Sequence, residues 1–487
     1  MDITGKTDRD AGETGVTAVS PTHITNDISN CKFIAESLRQ SGLWSIPGQA
    51  KDRERGWRVS PEPLELSADC VKFLERLGPA LYSFYNAANT LYLRGHYSWV
   101  NDYLDRGKPQ SLIEYGHMNF QRRKLPMIIR PDIILGEDTD YITELDSVPG
   151  GIGLTGSLSI LYGQLGFELI GGRKGLPEGF AQAMQSTLDQ ERSPALAVVV
   201  SEESKDYRSE MEWLAGELRE LGWIVFTIRP EEVIFTEDGL FVREVDEANR
   251  IDVLYRFFEL FDLKNIPKAE LVMYAAKKKR VVVTPPYKAY LEEKSLLALF
   301  HHPMLQDYWR EQMGNEAFDL LAGVIPKTWI LDSRPAPPHV MIPDFQFRGK
   351  RVNDWRVIKE GTQKERRLVI KPSGFSPLAW GSRGVVVGHD VSQEEWAAAV
   401  ENALGSFQTL PYVLQQFHEG KRVKVRYYEE RDVEIREMTG RVRLSPYYFV
   451  SGGTAKLGGV LATICPLDKK LIHGMVDAVM VPCSAGK

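Results

Sequence analysis

The sequence has few cysteines and no excess of charge of one sign. Cys31, Cys70, Cys465 and Cys483 lie far apart in 487 residues and form no CxxC pair, which argues against a zinc site and a dense disulfide framework. Lys and Arg number 60 against 66 Asp and Glu, for a net charge of -6, and cations and acids are interspersed. General affinity for nucleic acid is therefore not expected, and a reducing cytoplasm is the expected location.

Long apolar runs are also missing. The most notable uncharged run, residues 147–167, has membrane-spanning length, but it contains Pro149, Gln164 and repeated glycines, so no transmembrane helix is expected. The N-terminal MDITGKTDRD carries acidic charges and no apolar core, unlike a secretory signal. Hydrophobic residues nevertheless make up 43% of the chain, and its length predicts about three globular units.

Hydrophobic periodicity divides the chain into helical and β-rich stretches. It predicts helices at residues 27–41 and 64–94, a hairpin from 125–135 and 141–146, and a βαβ unit of open-sheet type at 195–229. The predicted organisation is a flexible tail at 1–28, a helical layer at 29–110, an acidic hairpin part at 111–190, an α/β unit at 191–290 and a C-terminal part at 291–487.

The common fingerprints of nucleotide and hydrolase sites are missing from the sequence. No GxxxxGK[ST] is present, and GGIGLTG after Asp146 lacks the lysine of a P-loop. No convincing GxGxxG follows a first strand, and neither GxSxG nor HExxH occurs. A Walker-type NTPase, and the most easily recognised hydrolases and zinc proteases, are therefore not expected.

Four charged residues of the hairpin are the first candidates for chemistry. Period two places Arg130 with Asp132 on one face, and Glu144 with Asp146 on one face. Three carboxylates that converge need solvent, ion pairs or cations, and oxygen-rich sites of this kind suit Mg²⁺ carried on nucleotide phosphates. A solvated hairpin face with a salt bridge would contain the same residues.

A glycine-rich loop after a strand is the second candidate. Lys371 ends the apolar strand VIKP, and GFSPLAWGSRGV follows it. Gly374, Gly381 and Gly384 would let backbone amides approach an anion, while Lys371 and Arg383 supply positive charge. A phosphate-covering loop is one interpretation, and a lysine before an ordinary surface loop is the other.

Together these segments resemble the ATP-grasp ligases, in particular the circularly permuted branch that contains the synthetase part of glutathionylspermidine synthase. RPD and ELD resemble the branch's R-x-D and E-x-N metal segment, with the same spacing from Asp132 to Glu144. EEKSLLALFHHPML and VIKP are similar to the two nucleotide-lysine segments, which maps those lysines onto Lys294 and Lys371. YVLQQF, by itself only a strand, corresponds to the adenine hinge. The acidic segment precedes both lysines, as in the permuted branch.

The resemblance covers roughly residues 110–460 and has departures. Asp146 stands where the branch usually has Asn. The wide separation of Lys294 from Lys371 requires an insertion around residues 333–356. The amidase domain of the bifunctional glutathionylspermidine enzymes has no counterpart, so amidase activity is not expected.

The resemblance implies an α/β fold with a circularly permuted ATP-grasp core, in which residues 191–290 form an open domain like the one that precedes that core. It implies ATP and Mg²⁺ as cofactors. The metal ligands would be Asp132, Glu144 and Asp146, and the catalytic residues Arg130, Lys294, Lys371 and Arg383. The nucleotide would also contact Gly374, Gly381, Gly384, Gln415, Gln416 and Phe417.

The implied activity is that of an ADP-forming carbon-nitrogen ligase, which activates a carboxylate as an acyl phosphate and joins it to an amine. The partners would be small-molecule carboxylates and amines, with neither nucleic acid nor a membrane, and the carboxylate would lie beside the flexible GGIGLTG segment. Two alternatives stay open: a degenerate nucleotide-binding scaffold, and a metal-dependent sugar-nucleotide transferase, which would explain Asp132 but not Lys371 with its loop. The sequence gives no prediction of oligomeric state.

Overall fold

The computed structural model describes residues 21–44, 56–188, 194–335, 339–379, 383–469 and 471–486. Its α-helices are α1 (Pro21–Gln40), α2 (Ala68–Arg94), α3 (Ser98–Asp105), α4 (Gln110–His117), α5 (Ile152–Gln164), α6 (Gly175–Gln185), α7 (Arg208–Glu220), α8 (Ala269–Lys277), α9 (Ser295–His301), α10 (Gln306–Met313), α11 (Asn315–Val324) and α12 (Gln393–Gly405). In the described part of the chain, none of them has both the length and the apolar character needed to cross a membrane.

Nineteen strands accompany these helices in the described ranges. They are β1 (Leu64–Leu66), β2 (Ile128–Ile134), β3 (Tyr141–Asp146), β4 (Ala195–Val200), β5 (Ile224–Ile228), β6 (Val233–Phe235), β7 (Leu240–Val242), β8 (Val253–Phe257), β9 (Val282–Thr284), β10 (Thr328–Ile330), β11 (Gln346–Phe347), β12 (Lys350–Arg351), β13 (Leu368–Pro372), β14 (Val386–Val387), β15 (Tyr412–Gln416), β16 (Arg422–Glu429), β17 (Glu434–Ser451), β18 (Thr454–Pro466) and β19 (Val479–Ala485).

The largest sheet has seven strands, with the order β1-β19-β18-β17-β2-β3 and with β16 paired to the first half of β17. Only the β1–β19 pairing among them is parallel. Tyr447 and Phe449 of β17 join the core that contains α6, while Tyr448 and Val450 join the core that contains α2. Because neighbouring residues of a strand point to opposite faces, helices cover both faces of this sheet.

A second sheet is parallel throughout, with the order β5-β4-β8-β9. Strand β4 is buried along its whole length, with Leu196, Val198 and Val200 in the core beneath α7 and Ala197 and Val199 in the core on the other face. A parallel strand covered on both faces has a continuous apolar sequence, and this explains the run ALAVVV.

A third, antiparallel sheet has the order β10-β15-β13-β14, and α12 packs on it through Trp396 and Leu404. One of its two inner strands, β13, carries Lys371, whose Nζ donates a hydrogen bond to the carbonyl oxygen of Thr143 in β3 at 2.9 Å. This contact joins the antiparallel sheet to the seven-stranded sheet. Two short hairpins, β6–β7 and β11–β12, complete the strand pairings of the described ranges.

The predicted hairpin and βαβ unit are confirmed by the β2–β3 and β4–β5 pairings. The helix predicted at 64–94 is wrong at its start, because Leu64–Leu66 pairs with Cys483–Ala485 as a strand and the side chain of Ser67 caps α2. Helix α1 begins at Pro21, within the predicted tail, whose residues 1–20 lie outside the described ranges. The boundaries proposed for the five parts stay predictions.

Candidate active site

A cavity of about 430 Å³ lies between the seven-stranded sheet and the antiparallel sheet of β13 and β15. Its volume falls within the range of roughly 300–1,000 Å³ typical of small-molecule sites. Its apolar lining consists of Ile134, Pro326, Val369, Val385, Val387, Leu467, Leu471 and Ile472. Its charged lining includes Asp132, Glu144, Arg367, Lys371, Asp390, Glu419, Arg441, Arg443 and Lys469. Apolar walls with several cations suit a molecule that carries both a flat apolar ring and negative charge.

Lys371 is the cation that β13 contributes to this cavity. Its Nζ also donates a hydrogen bond to Gln415 Oε1 at 2.7 Å, and the amide nitrogen of Gln415 donates to Thr328 Oγ1 at 3.1 Å. Burial lowers the pKa of Lys371 to about 8, although the charge of Glu144 opposes the shift. Lys371 is therefore held in place by neutral acceptors and carries a charge that an anionic ligand would stabilise.

The acidic hairpin has the face pattern that its sequence predicts, but its charges are already paired. Arg130 lies opposite Asp146, and Asp132 lies opposite Glu144. The Arg130 guanidinium contacts Asp132 and Asp146, each at 3.2 Å, and donates to the carbonyl oxygen of Gly150 at 2.7 Å. Burial would raise the pKa of Asp132, but Arg130, Arg443 and the hydrogen bond from Ser445 together outweigh burial, and the pKa is lowered.

Asp146 differs from Asp132 in its electrostatics and in its exposure to the cavity. Burial raises the pKa of Asp146 despite Arg130, and nearby Glu144 adds to the increase. Asp132 has two further partners, Arg443 Nη1 and Ser445 Oγ, each at 3.0 Å. Asp132 and Glu144 line the cavity, whereas Asp146 is not among its lining residues.

Lys294, at the start of α9, forms an ion pair with Glu144 at 2.7 Å and donates to the carbonyl oxygen of Ala379 at 3.3 Å. Its side chain is 9% exposed. Burial lowers the pKa of Lys294, but Glu144 together with Glu259 and Asp146 outweighs burial, and the pKa is raised. Glu144 thus stands between the two predicted nucleotide lysines, because Lys371 contacts the carbonyl of the residue before it.

The predicted metal ligands fit Mg²⁺ by the chemistry of their oxygen atoms. Across the described ranges, however, no three His, Cys, Asp or Glu side chains are placed to hold a metal ion by themselves. Asp132 and Glu144 face the cavity from adjacent strands, so phosphate oxygens of a ligand would supply the remaining ligands, as is usual for Mg²⁺. The metal role of the three carboxylates stays a prediction.

The glycine-rich loop packs against protein at the two predicted glycines that are described. A Cβ on Gly374 would lie 1.7 Å from the carbonyl oxygen of Glu292, so this glycine permits close backbone packing. The amide of Gly384 donates to the carbonyl oxygen of Leu378 at 3.0 Å. Arg383 contacts Glu203 at 3.4 Å and does not line the cavity. Gly381 lies outside the described residues, and the phosphate contacts of this loop stay predictions.

The predicted adenine hinge lines the cavity with Gln415, Gln416 and Phe417. The amide of Gln416 donates to Lys327 O at 2.8 Å, and the amide of Phe417 donates to Arg367 O at 3.0 Å. These two amides are thus satisfied by neighbouring segments of protein. A base that pairs with this strand would therefore meet its carbonyl oxygens, or the backbone of residues 418–420, which also line the cavity.

The GGIGLTG segment is not the flexible backbone that the sequence predicts. It enters helix α5, and the buried carboxylate of Glu210 accepts hydrogen bonds from the amides of Gly151, Gly153 and Leu154 at 3.0 to 3.2 Å. Burial raises the pKa of Glu210, while these amides lower it. Because the helix terminus already binds a protein carboxylate, its amides are not free for a substrate carboxylate.

Several cavity residues come from the C-terminal part of the chain and carry no motif. Arg441 and Arg443 lie on β17, and residues 467–472 add Leu467, Lys469, Leu471 and Ile472 to the wall. In GRVRLSP, Arg441, Arg443 and Ser445 are two residues apart, so they share a strand face. This spacing could have marked them in the sequence as a polar face. The wall at 467–472 carries no comparable signal.

Comparison with known proteins shows the fold. No family model matches the chain, and no curated protein matches it. A solved structure of a glutathione synthetase-like effector from Globodera pallida is similar with a TM-score of 0.57 and 11% identity, over 94% of this chain and 96% of that chain. A protein described as a gamma-glutamylcysteine synthetase from Methylobacillus flagellatus KT gives a TM-score of 0.40 and 10% identity, over 83% and 87% of the two chains. The predicted α/β, ATP-grasp-like fold is confirmed.

Proposed function

We propose that this protein is an ATP-dependent ligase that joins a carboxylate to an amine and releases ADP and phosphate. The observation that carries the proposal is the cavity in which Lys371 and Arg443 meet Asp132 and Glu144 beside an apolar wall, on an ATP-grasp-like fold. The apolar wall and residues 415–420 would hold the adenosine. The cations would bind the phosphates.

The chain's own residues would act by position and charge. Lys371 and Lys294, on either side of Glu144, would balance the negative charge of the phosphates, and no protein nucleophile is required. Asp132 and Glu144 would hold Mg²⁺, which when bound offsets charge on the phosphate oxygens. The substrate carboxylate would be activated as an acyl phosphate, and the amine would then displace the phosphate. Walls that exclude water would protect that intermediate from hydrolysis.

The finer substrate assignment rests on the sequence resemblance to glutathionylspermidine synthase. We infer a peptide-like carboxylate and a polyamine-like amine as the first pair to test. A screen of carboxylates and amines, including glutathione with spermidine, should show ADP release that requires both substrates, with an amide product identified by mass. ADP release without an amine, or phosphate transfer to a hydroxyl, would replace the ligase assignment with an ATPase or a kinase.

Two variants connect the activity to the cavity. Lys371→Ala should weaken ATP binding, because it removes a phosphate-facing charge. Glu144→Gln should retain most ATP binding but lose turnover, because it removes a metal ligand and the partner of Lys294. Lys424→Ala is the matched control, since the side chain of Lys424 is 73% exposed on β16. Wild-type turnover in both cavity variants would refute the site.

A further inference from the structure

The segments that carry the two predicted nucleotide lysines are in direct backbone contact. Gly374 packs on the carbonyl oxygen of Glu292 so closely that a Cβ has no room. Next to this contact, the hydroxyl oxygens of Ser373 and Ser295 are 3.2 Å apart, and both residues are 1% exposed. Residues 292–295 include Lys294, and residues 373–375 begin the glycine-rich loop that follows Lys371. A shift of either segment would therefore change the distance between the two lysines.

A buried ion pair lies at the same contact. Lys108, in the turn between α3 and α4, places its Nζ 2.5 Å from Glu293 Oε1, and the two side chains are 3% and 2% exposed. The same Nζ lies 5.6 Å from the ring centroid of Phe375. Lys108 thus contacts both segments, one through an ion pair and one through an aromatic ring.

The 292–295 segment is also fixed from its other side. Arg256, which is 0% exposed, forms an ion pair with Glu292 and donates to the carbonyl oxygens of Pro285 and Pro286. With this segment anchored, Lys108 adds a charged link between the loop and the segment, beside the packing of Gly374 and the contact of Ser295 with Ser373. A buried ion pair adds little to stability, because the cost of desolvation offsets most of its Coulomb energy. The role of the Lys108–Glu293 pair is better explained by the positions in which it holds the two segments.

We propose that Lys108 and Glu293 are positioning residues, which hold the start of the glycine-rich loop against Lys294 so that Lys294 and Lys371 bind one polyphosphate together. The inference rests on the proposed nucleotide site. It assigns a role in that site to the helical layer, through a residue that is not part of the cavity lining.

The test compares the affinities for ATP and AMP, measured by calorimetry with Mg²⁺ present. Glu293→Gln and Lys108→Met should each weaken ATP binding by about tenfold, as expected for a small misplacement of charged groups. AMP lacks the β- and γ-phosphates, so its affinity should stay within about twofold of the wild type. Lys108→Arg, which keeps the charge, should restore much of the ATP affinity.

A single variant leaves one buried charge unpaired and could fail to fold for that reason. The double variant Lys108→Met/Glu293→Gln has no buried charge at this contact, so it provides the test in that case. It should lose ATP affinity about as much as one single variant does, since the pair acts as a unit. Equal losses for ATP and AMP, or wild-type ATP affinity in the folded double variant, would overturn the positioning role. If the wild-type protein binds AMP and ATP equally well, or binds neither, the proposed function itself fails.

Discussion

Raising the pH from 7 to 9 should weaken ATP binding, because Lys371 loses its charge in this range. Burial places its pKa at about 8, and a phosphate binds the charged form. The sign follows from linkage: a bound phosphate raises the pKa of Lys371, so binding takes up a proton when free Lys371 is neutral. Lys294, whose pKa is raised by Glu144 and other nearby acids, stays charged over this pH range. Its contribution to ATP affinity should therefore not change with pH.

The size of the effect follows from the population of charged Lys371. With a pKa of about 8, most free molecules are charged at pH 7 and only about one in ten is charged at pH 9. Apparent affinity falls with the competent fraction, so the Kd for ATP should rise about tenfold between these pH values. Proton uptake on binding should be small at pH 7 and approach about one proton at pH 9.

Calorimetry in pairs of buffers with different ionisation enthalpies measures the affinity and the proton uptake together. The matched control is Lys371→Arg, whose guanidinium stays charged over the whole range and should remove both the slope and the proton uptake. A wild-type Kd that changes less than about twofold, or an arginine variant with the same slope as the wild type, would refute the assigned role of Lys371.

Two matched pairs of variants test stability and are checked by urea unfolding. Arg443→Ala should lower the free energy of unfolding by about 2 kcal/mol, because it leaves buried Asp132 with Arg130 as its main cation. Arg441→Ala breaks an ion pair with half-exposed Glu419 and should lower the free energy of unfolding by less than about 1 kcal/mol. Equal losses in the two variants would contradict the argument from burial. Gly153→Ala should destabilise by roughly 1 to 3 kcal/mol, because its Cβ would lie 2.6 Å from the Cα of Glu210. Gly216→Ala lies on α7, where an added Cβ would meet no other part of the described structure within 4 Å beyond the adjacent residues and backbone of its own helix, so it should stabilise the fold by about 0.5 to 1 kcal/mol. A loss of stability there would show that helix propensity is not the deciding factor.

The sequence predicted the parts of the site that depend on local pattern. Period two along β2 and β3 correctly grouped the charges of RPD and ELD, because alternation within a strand survives whatever the strand packs against. Lys371 was a candidate because it follows an apolar strand and precedes a glycine-rich loop, and it lines the cavity, although an ordinary surface loop has the same local sequence pattern. These signals are contained in a few consecutive residues.

The rest of the site depends on which segments become neighbours. The amide of Phe417 is free or occupied according to whether Arg367 lies beside it, and this depends on the order of strands in the sheet. Glu210 caps α5 from a helix that begins far along the chain, so GGIGLTG looked open when read alone. Leu64 belongs to a strand only because Cys483 is its partner.

The parallel pairing of β1 with β19 has a consequence for synthesis on the ribosome. The seven-stranded sheet cannot be completed until residues 479–485 have been made, since they supply the strand that lies between β1 and β18. The parallel sheet of β4, β5, β8 and β9 is closed by residue 284, so it can fold while the later strands are still untranslated. Contacts of such long sequence separation form slowly. While the later strands are still unmade, β1 lacks its partner β19, and β2 lacks its partner β17. The nascent chain should depend most on chaperones at this stage.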